Sequence, residues 1–263
     1  MASQLSGKVI VVMGGTSGLG LSAVRACVGQ GARVVVVGRD AAKADAVASM
    51  LGKSVRVVVG DAAVVGTAES AIDTAELAFG GFHGLYHVAG GSGRRRGDGL
   101  LHELSDEGWD YTLDLNLRSV FLSNRAAVRR LRERGIAGSI LNCGSVLGFS
   151  PSSHFFATQA YAAAKAAIIG LTRSAAAQYA PEGIRFNVVA PGLVATPMSQ
   201  RAQGDERILA FVKTKQPLDG GRIGRPEDLD AAVVWLLSDA AGFVTGQVIA
   251  VDGGWSVSEG QGV

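Results

Sequence analysis

Val34-Val35-Val36-Val37 places four β-branched residues in succession with no polar residue alternating among them. Branching at Cβ favours extended backbone, and a strand that is apolar on both sides must be covered on both sides. Six further short runs have the same character: Val9 to Val12, Val55 to Val59, Gly84 to Val88, Ser139 to Asn142, Ile184 to Val189 and Gln247 to Val251. Between them lie longer Ala- and Leu-rich segments with helical spacing, among them Leu19 to Gln30, Ala41 to Leu51, Asp110 to Arg134, Tyr161 to Tyr179 and Pro226 to Leu237. Strands alternating with helices call for βαβ crossovers. The expectation is an α/β fold: a doubly wound parallel sheet of about seven strands with helices on both faces.

Nothing divides the chain. No Pro/Ser-rich linker or break in composition interrupts its 263 residues, of which 48% are hydrophobic and 18% charged, and the last strand falls almost at the C-terminus. Residues 1–263 are therefore expected to form one domain, with the least regular stretch, 192–224, as a lid over a ligand. Twenty-five basic residues against 23 acidic ones give a net charge of +2, so no global field points to nucleic acid or an anionic membrane. The dense basic cluster Arg94-Arg95-Arg96, set between Gly91-Ser92-Gly93 and Gly97-Asp98-Gly99, reads as a solvated loop. Cys27 and Cys143 lie inside apolar elements and read as small core residues in a reducing compartment. The first residues lack a basic and then apolar leader, and no run approaches the roughly 18 apolar residues of a membrane span, so a cytoplasmic protein is expected.

Glycine is in excess, at 37 of 263 residues against a usual ~7%. Without a repeat period, the surplus belongs at tight turns and ligand-facing loops. The first strand runs through Met13 into Gly14-Gly15-Thr16-Ser17-Gly18-Leu19-Gly20 and then into a helix. Such glycines let backbone approach a pyrophosphate, while free N–H groups and the helix dipole favour the anion. The spacing is G-x-x-x-G-x-G rather than the G-x-G-x-x-G dinucleotide fingerprint, and plain turn glycines are the competing reading. Gly52-Lys53-Ser54 ends like a P-loop, but Val47 stands where its first glycine belongs, and that reading is rejected.

The end of the second strand selects the dinucleotide, because a cation there receives a 2′-phosphate and an acid binds a ribose 2′-hydroxyl. Arg39 occupies the selecting position and favours NADP(H) over NAD(H). Asp40 competes as a ribose ligand, although directly before Ala41 it suits a helix N-cap, the preferred reading. Asp61 is poised either to accept from the adenine amino group or to form an Asx turn.

Tyr161 and Lys165 lie four residues apart on a helical stretch and so share a face. A phenol of pKa about 10 is a poor base at neutral pH, and a neighbouring ammonium together with a cationic nicotinamide favours its phenolate. Ser145, at the end of the fifth strand, is placed to hydrogen-bond a substrate oxygen as charge develops on it.

With these motifs in order, the whole chain resembles the short-chain dehydrogenase/reductase family in its single-domain branch. Gly14, Gly18 and Gly20 match its cofactor turn, Ala89-Gly90 the end of its Asn-Ala-Gly segment, and Asn116 its helix asparagine. Ser145 and Tyr161-x-x-x-Lys165 match its catalytic set, and Pro191-Gly192 with Thr196 its nicotinamide-side turn; Gly224-x-Pro226-Glu227-Asp228 and Thr245-Gly246 to Asp252-Gly253-Gly254 extend the likeness. The resemblance implies a Rossmann-like sheet and hydride transfer between a nicotinamide cofactor and a carbonyl or alcohol. It implies Tyr161 as acid/base, Lys165 on the nicotinamide ribose and lowering the tyrosine pKa, Ser145 on the substrate oxygen, and Asn116 holding a water of the proton relay. The expected cofactor contacts are Gly14, Thr16, Ser17, Gly18, Leu19, Gly20, Arg39, Asp61, Ala62, Ala89, Gly90, Tyr161, Lys165, Pro191, Gly192, Val194 and Thr196. Homo-oligomers, tetramer or dimer, are implied as well, with Trp255 near the terminus a candidate interface residue.

Three departures stand out. Met13 replaces a threonine, His87 an asparagine, and the interval from Ser145 to Tyr161 is wider than usual, with Ser152-Ser153-His154-Phe155-Phe156 inside it as an expected wall of the substrate site. The four histidines and two cysteines form no metal motif, and none is expected. No Gly-x-Ser-x-Gly elbow suggests a hydrolase. Two further readings remain: a nucleotide-sensing protein that keeps the fold without chemistry, and the sugar-nucleotide epimerase branch, for whose added domain the chain has no residues.

Overall fold

The computed structural model describes residues 3–152 and 155–260. Its seven strands are β1 (Val9–Met13), β2 (Arg33–Gly38), β3 (Val55–Val59), β4 (Gly84–His87), β5 (Gly138–Cys143), β6 (Ile184–Pro191) and β7 (Val248–Val251). They pair in parallel in the order β3-β2-β1-β4-β5-β6-β7. The helices are α1 (Gly18–Gly29), α2 (Ala41–Leu51), α3 (Thr67–Phe79), α4 (Asp106–Leu113), α5 (Ser119–Arg134), α6 (Gln159–Tyr179), α7 (Gln200–Gln203), α8 (Glu206–Lys215) and α9 (Asp230–Leu237). This is the Rossmann-like, single-domain architecture.

The unbroken valine runs are explained by the two layers they feed. Ile10, Val12, Val34 and Val36 face Ala23, Val24 and Cys27 of α1 and Val233 and Leu236 of α9. Their neighbours Val9, Val11, Val35 and Val37 face Ala71, Ile72 and Ala75 of α3 and Ala127 and Leu131 of α5. Both sides of the central strands are buried, so polar alternation has no place in them. Cys27 and Cys143 are buried free thiols, and burial pushes the Cys27 thiol up to about 12.

The chain winds outward from β1 to β3 and then crosses back to lay β4 on the other side of β1. Met13 therefore pairs with both Val37 and His87. The reversal opens a crevice beyond the carboxyl ends of these strands, where open α/β sheets bind ligands.

Several details differ from the sequence expectation. The helical pattern over 110–134 is two helices, α4 and α5, joined by one π-turn at Asp114–Arg118 centred on Asn116. The stretch 192–224 is less irregular than expected, since its apolar Ala202, Ile208 and Val212 bury against Val146 and Trp255 and fold it into α7 and α8. Trp255 is 1% exposed and donates from Nε1 to Ser150 O at 3.1 Å, so it belongs to this chain's own interior and not to an interface. Trp109 and Trp235 remain partly exposed. No helix among the described residues is long and apolar enough to cross a membrane.

Candidate active site

A cleft of about 220 Å³ fills the crevice. Of the expected cofactor contacts, Gly14, Thr16, Ser17, Gly18, Leu19, Gly20, Arg39, Asp61, Ala62, Ala89, Gly90 and Thr196 line it. Tyr161, Lys165, Pro191, Gly192 and Val194 do not: the first two lie on α6, and the other three further along at the end of β6, where Gly192 N–H donates to Val251 O. Val37, Gly38, Gly60, Val88, Leu115, Pro197 and Met198 line it without having been singled out. Val37-Gly38 and Gly60 follow strands as directly as the glycine turn does, and that was the available signal.

The glycines of the turn are fixed by space. Gly14 has φ +91°, and a Cβ there would stand 2.6 Å from Ala89 N; one on Gly20 would stand 2.1 Å from Gly14 O. Close packing of turn against helix thus brings the first amides of α1 to the cleft. Ser17, the N-cap, makes no side-chain cap bond, and the first turn carries no acid. Amide donors uncapped by their own side chains at a glycine-built helix N-terminus suit a phosphate, so the residues present fit a dinucleotide.

Asp40 is the N-cap of α2, its carboxylate accepting from Lys43 N at 3.1 Å. Asp61 forms an Asx turn with Ala63 N at 2.9 Å, and its other oxygen lies 3.7 Å from Arg39 Nη1. Arg39 is left as the exposed, cleft-lining cation at the end of β2.

The reacting groups gather at the end of β5. Ser145 Oγ accepts from Leu147 N at 3.2 Å, and its hydroxyl is near enough to the Tyr161 phenol to pull that group's pKa down. Lys165 is buried, donates to Cys143 O at 2.8 Å, and sits 5.5 Å from the centre of the Tyr161 ring. A Cβ on cleft-lining Gly90 would come within 3.7 Å of Lys165 Nζ, which places the ammonium beside the cleft. Although Tyr161 keeps part of its surface exposed, the protein around its phenol pushes the pKa above the usual tyrosine range, and only the Ser145 hydroxyl pulls it back. The expected lowering combines the ammonium with a cationic nicotinamide, and the protein's own groups do not produce it. The Lys165 ammonium is committed to a backbone carbonyl, and burial lowers its own pKa.

Asn116 is fully buried on the π-turn. Its Oδ1 accepts from Gly91 N at 3.1 Å, and its Nδ2 donates to Gly91 O and to Thr112 O at 2.9 Å each. Here it clamps the turn that follows β4. His87 holds the same turn: its Nε2 lies 3.1 Å from Ala89 O, and because a carbonyl only accepts, the proton is on Nε2 and Nδ1 accepts from the Ser123 hydroxyl at 2.7 Å. Burial and the Lys165 charge push His87 down to about 3, so it is a neutral donor at working pH. Its departure from asparagine preserves a hydrogen-bonding role. Met13 is a fully buried core residue.

Asp98 was missed. This buried carboxylate accepts from Ala160 N at 3.0 Å and from Tyr161 N at 3.1 Å, capping α6 from another segment where its own N-cap, Thr158, makes no side-chain cap bond and turns its hydroxyl to Phe156 O. Only its place between Gly97 and Gly99 hinted at a special position. Asp98→Ala strands two amides and is expected to lower unfolding stability by about 1–3 kcal/mol, with Asp98→Asn intermediate, as read by urea melts. His154 lies outside the described residues, as does Ser153.

A glycine-built cleft at the switch point of a parallel sheet, with Lys165 beside it and Ser145 and Tyr161 gathered at the end of β5, defines an oxidoreductase of the dehydrogenase/reductase class. A family model described as Enoyl-(Acyl carrier protein) reductase matches residues 14–256. The chain belongs to the short-chain dehydrogenase/reductase family, whose members use nicotinamide cofactors. It is 38% identical over 261 residues to the 2-(S)-hydroxypropyl-CoM dehydrogenase 3 of Xanthobacter autotrophicus, covering 97% of this chain and 98% of that one. It is 38% identical over 254 residues to the 3-alpha-(or 20-beta)-hydroxysteroid dehydrogenase of Mycobacterium bovis, covering 97% and 91%. Among solved structures, that of gox2181 superposes with a TM-score of 0.87 at 30% identity, covering 97% of this chain and 98% of that one.

Proposed function

We propose that this protein interconverts a secondary alcohol and its carbonyl with NADP(H), Tyr161 serving as acid/base. The observation that carries this reading is the Tyr161 phenol with the Ser145 hydroxyl acting on it and the Lys165 ammonium 5.5 Å from its ring, that ammonium in turn standing beside the glycine-built cleft. When bound, the nicotinamide supplies or accepts the hydride at the carbinol carbon. In oxidation the alcohol O–H bond breaks, its proton goes to the Tyr161 phenolate, and the C–O bond becomes a carbonyl. Reduction reverses this, with neutral Tyr161 giving its proton to the developing alkoxide and Ser145 donating to the same oxygen. Lys165 would bind the nicotinamide ribose, and the segment 192–224, with α7 and α8, would close over the substrate. A groove of about 470 Å³ between α5 and α6, lined by Phe121, Leu171 and Tyr179, supports assembly as a homo-oligomer.

A panel of ketones, aldehydes and secondary alcohols run with NADPH/NADP and with NADH/NAD tests class and cofactor together. Cofactor binding with no turnover on any member would favour the nucleotide-sensing reading. The pH dependence offers a sharper check. Since the Ser145 hydroxyl lowers the Tyr161 pKa, Ser145→Ala raises it. Oxidation needs the phenolate, so the limb along which oxidation rises with pH is expected to move to higher pH in Ser145→Ala. An unmoved limb would show that Tyr161 is not the titrating base.

A further inference from the structure

We infer that the substrate of this site carries an anionic group remote from the reacting carbon, bound by Arg94 and Arg201; this rests on the dehydrogenase/reductase reading above. The two relatives are named for a CoM conjugate and for a steroid, so the substrate must be read from this chain's own wall. That wall starts beside the catalytic serine. Val146 and Leu147 pack with Phe155, Phe156, Phe211 and Trp255, the ring centres of Phe155 and Phe211 standing 5.5 Å apart.

The far end of this apolar surface is cationic. Arg94, in the single turn Arg94–Arg96 after β4, donates from Nη2 to Phe155 O at 3.2 Å. Arg201, from α7, donates to the same oxygen at 2.9 Å. Arg207 of α8 stands 5.8 Å from the centre of the Phe155 ring. The basic loop is solvated as expected, Arg94 included, but the Arg94 guanidinium is held on Phe155 O while Arg96 lies near Glu107.

Two guanidiniums meeting on one neutral carbonyl repel each other and gain no compensating charge there. Among the described residues neither Arg94 nor Arg201 has a carboxylate within ion-pair distance, unlike Arg130, Arg132, Arg134 and Arg222. The acid that acts on Arg94 is Asp98, whose two oxygens are taken by the amides of Ala160 and Tyr161. Partial desolvation and the Arg201 charge lower the Arg94 pKa, and Asp98 offsets them only in part. A carboxylate, sulfonate or phosphate offers oxygens to both forks at once, the pairing for which guanidinium geometry is suited. Asp98, four residues beyond Arg94 in the same loop, holds the backbone of Tyr161, so one short segment ties Arg94 to the reacting phenol.

The test compares matched carbonyl pairs that differ in charge, with NADPH: levulinate against methyl levulinate, acetoacetate against methyl acetoacetate, and dihydroxyacetone phosphate against dihydroxyacetone. The inference requires kcat/KM to favour the anionic member of at least one pair by about tenfold or more, chiefly through KM. The pair that shows it distinguishes carboxylate from phosphate. In Arg94→Gln and Arg201→Gln this ratio is expected to collapse toward one, a readout that general damage to the protein leaves in place. Thermal stabilisation of the cofactor-loaded protein by the anions is measured alongside, wild type against both variants. Turnover of neutral members equal to or better than their anionic partners would overturn the inference and leave the oxidoreductase reading intact. Arg-dependent stabilisation by an anion with no turnover of any carbonyl would uphold the anion site and overturn the reaction. An anionic preference that survives both substitutions would also overturn it.

Discussion

Turnover of the Tyr161→Phe variant is expected to fall by about 10²- to 10⁴-fold, the range that a positioned acid/base contributes, while cofactor affinity stays close to that of the parent. The substitution removes one oxygen and keeps the ring over which Lys165 is packed. It leaves the glycine turn, Arg39 and the uncapped amides of α1 untouched, so binding and chemistry separate cleanly. The helix itself should not notice: Asp98 holds the backbone N–H of residue 161 whatever its side chain. Single-turnover rates with saturating cofactor, together with a fluorescence titration of the cofactor, check both halves. A variant that turned over at the parental rate would remove Tyr161 from the reaction.

Why the phenol needs its neighbours follows from its surroundings. The protein packed around it raises its pKa, which keeps a proton on the group that must protonate an alkoxide during reduction and makes oxidation depend on every hydrogen bond to the phenolate. The Ser145 hydroxyl pulls the pKa back down. The cationic nicotinamide of the oxidised cofactor would supply charge that Lys165, donating to Cys143 O, does not bring to the phenol in the protein alone.

The sheet was legible because valine is unambiguous when it is continuous. Val34 to Val37 had to be a strand covered on both faces, and the α1 and α3 layers cover it. The cofactor turn was legible for a related reason: at Gly14 and Gly20 no other residue fits, since a Cβ would meet backbone atoms at 2.6 and 2.1 Å, and so the chemistry of the place is written in the residue type. Where a task falls on a backbone atom the sequence is mute. Phe155 is marked by its carbonyl oxygen, not by its ring, and nothing in the letters around Arg94 points to that oxygen. Asp98 serves the amides of Ala160 and Tyr161, partners that only the folded chain brings near. The spacing from Tyr161 to Lys165 correctly put both on one face, yet spacing says nothing of the Cys143 carbonyl that claims the ammonium. Nor does spacing say how deeply the fold buries the phenol, and that burial is the main reason its pKa is raised.

The proposed preference for NADP(H) is assigned to one side chain, Arg39, and gives the other large expected effect. At the end of β2 the acid that would hold a ribose hydroxyl, Asp40, is engaged at the start of α2 by Lys43 N. Arg39 lines the cleft, and its ion pair with Asp61, at 3.7 Å with both side chains partly exposed, is loose. An exposed pair of this kind contributes only ~0–1 kcal/mol, so a 2′-phosphate with two charges to offer would displace Asp61 readily. A charge-assisted hydrogen bond of roughly 1.5–3 kcal/mol lost with Arg39→Ala corresponds to about a 10- to 150-fold weaker NADPH complex. NADH, lacking the phosphate, is expected to change by no more than about threefold, since the pair it leaves behind is worth so little. Isothermal titration of both cofactors against parent and variant measures the ratio directly. Equal losses for NADPH and NADH would move the selecting role from Arg39 to Asp40 and reverse the assignment to NAD(H).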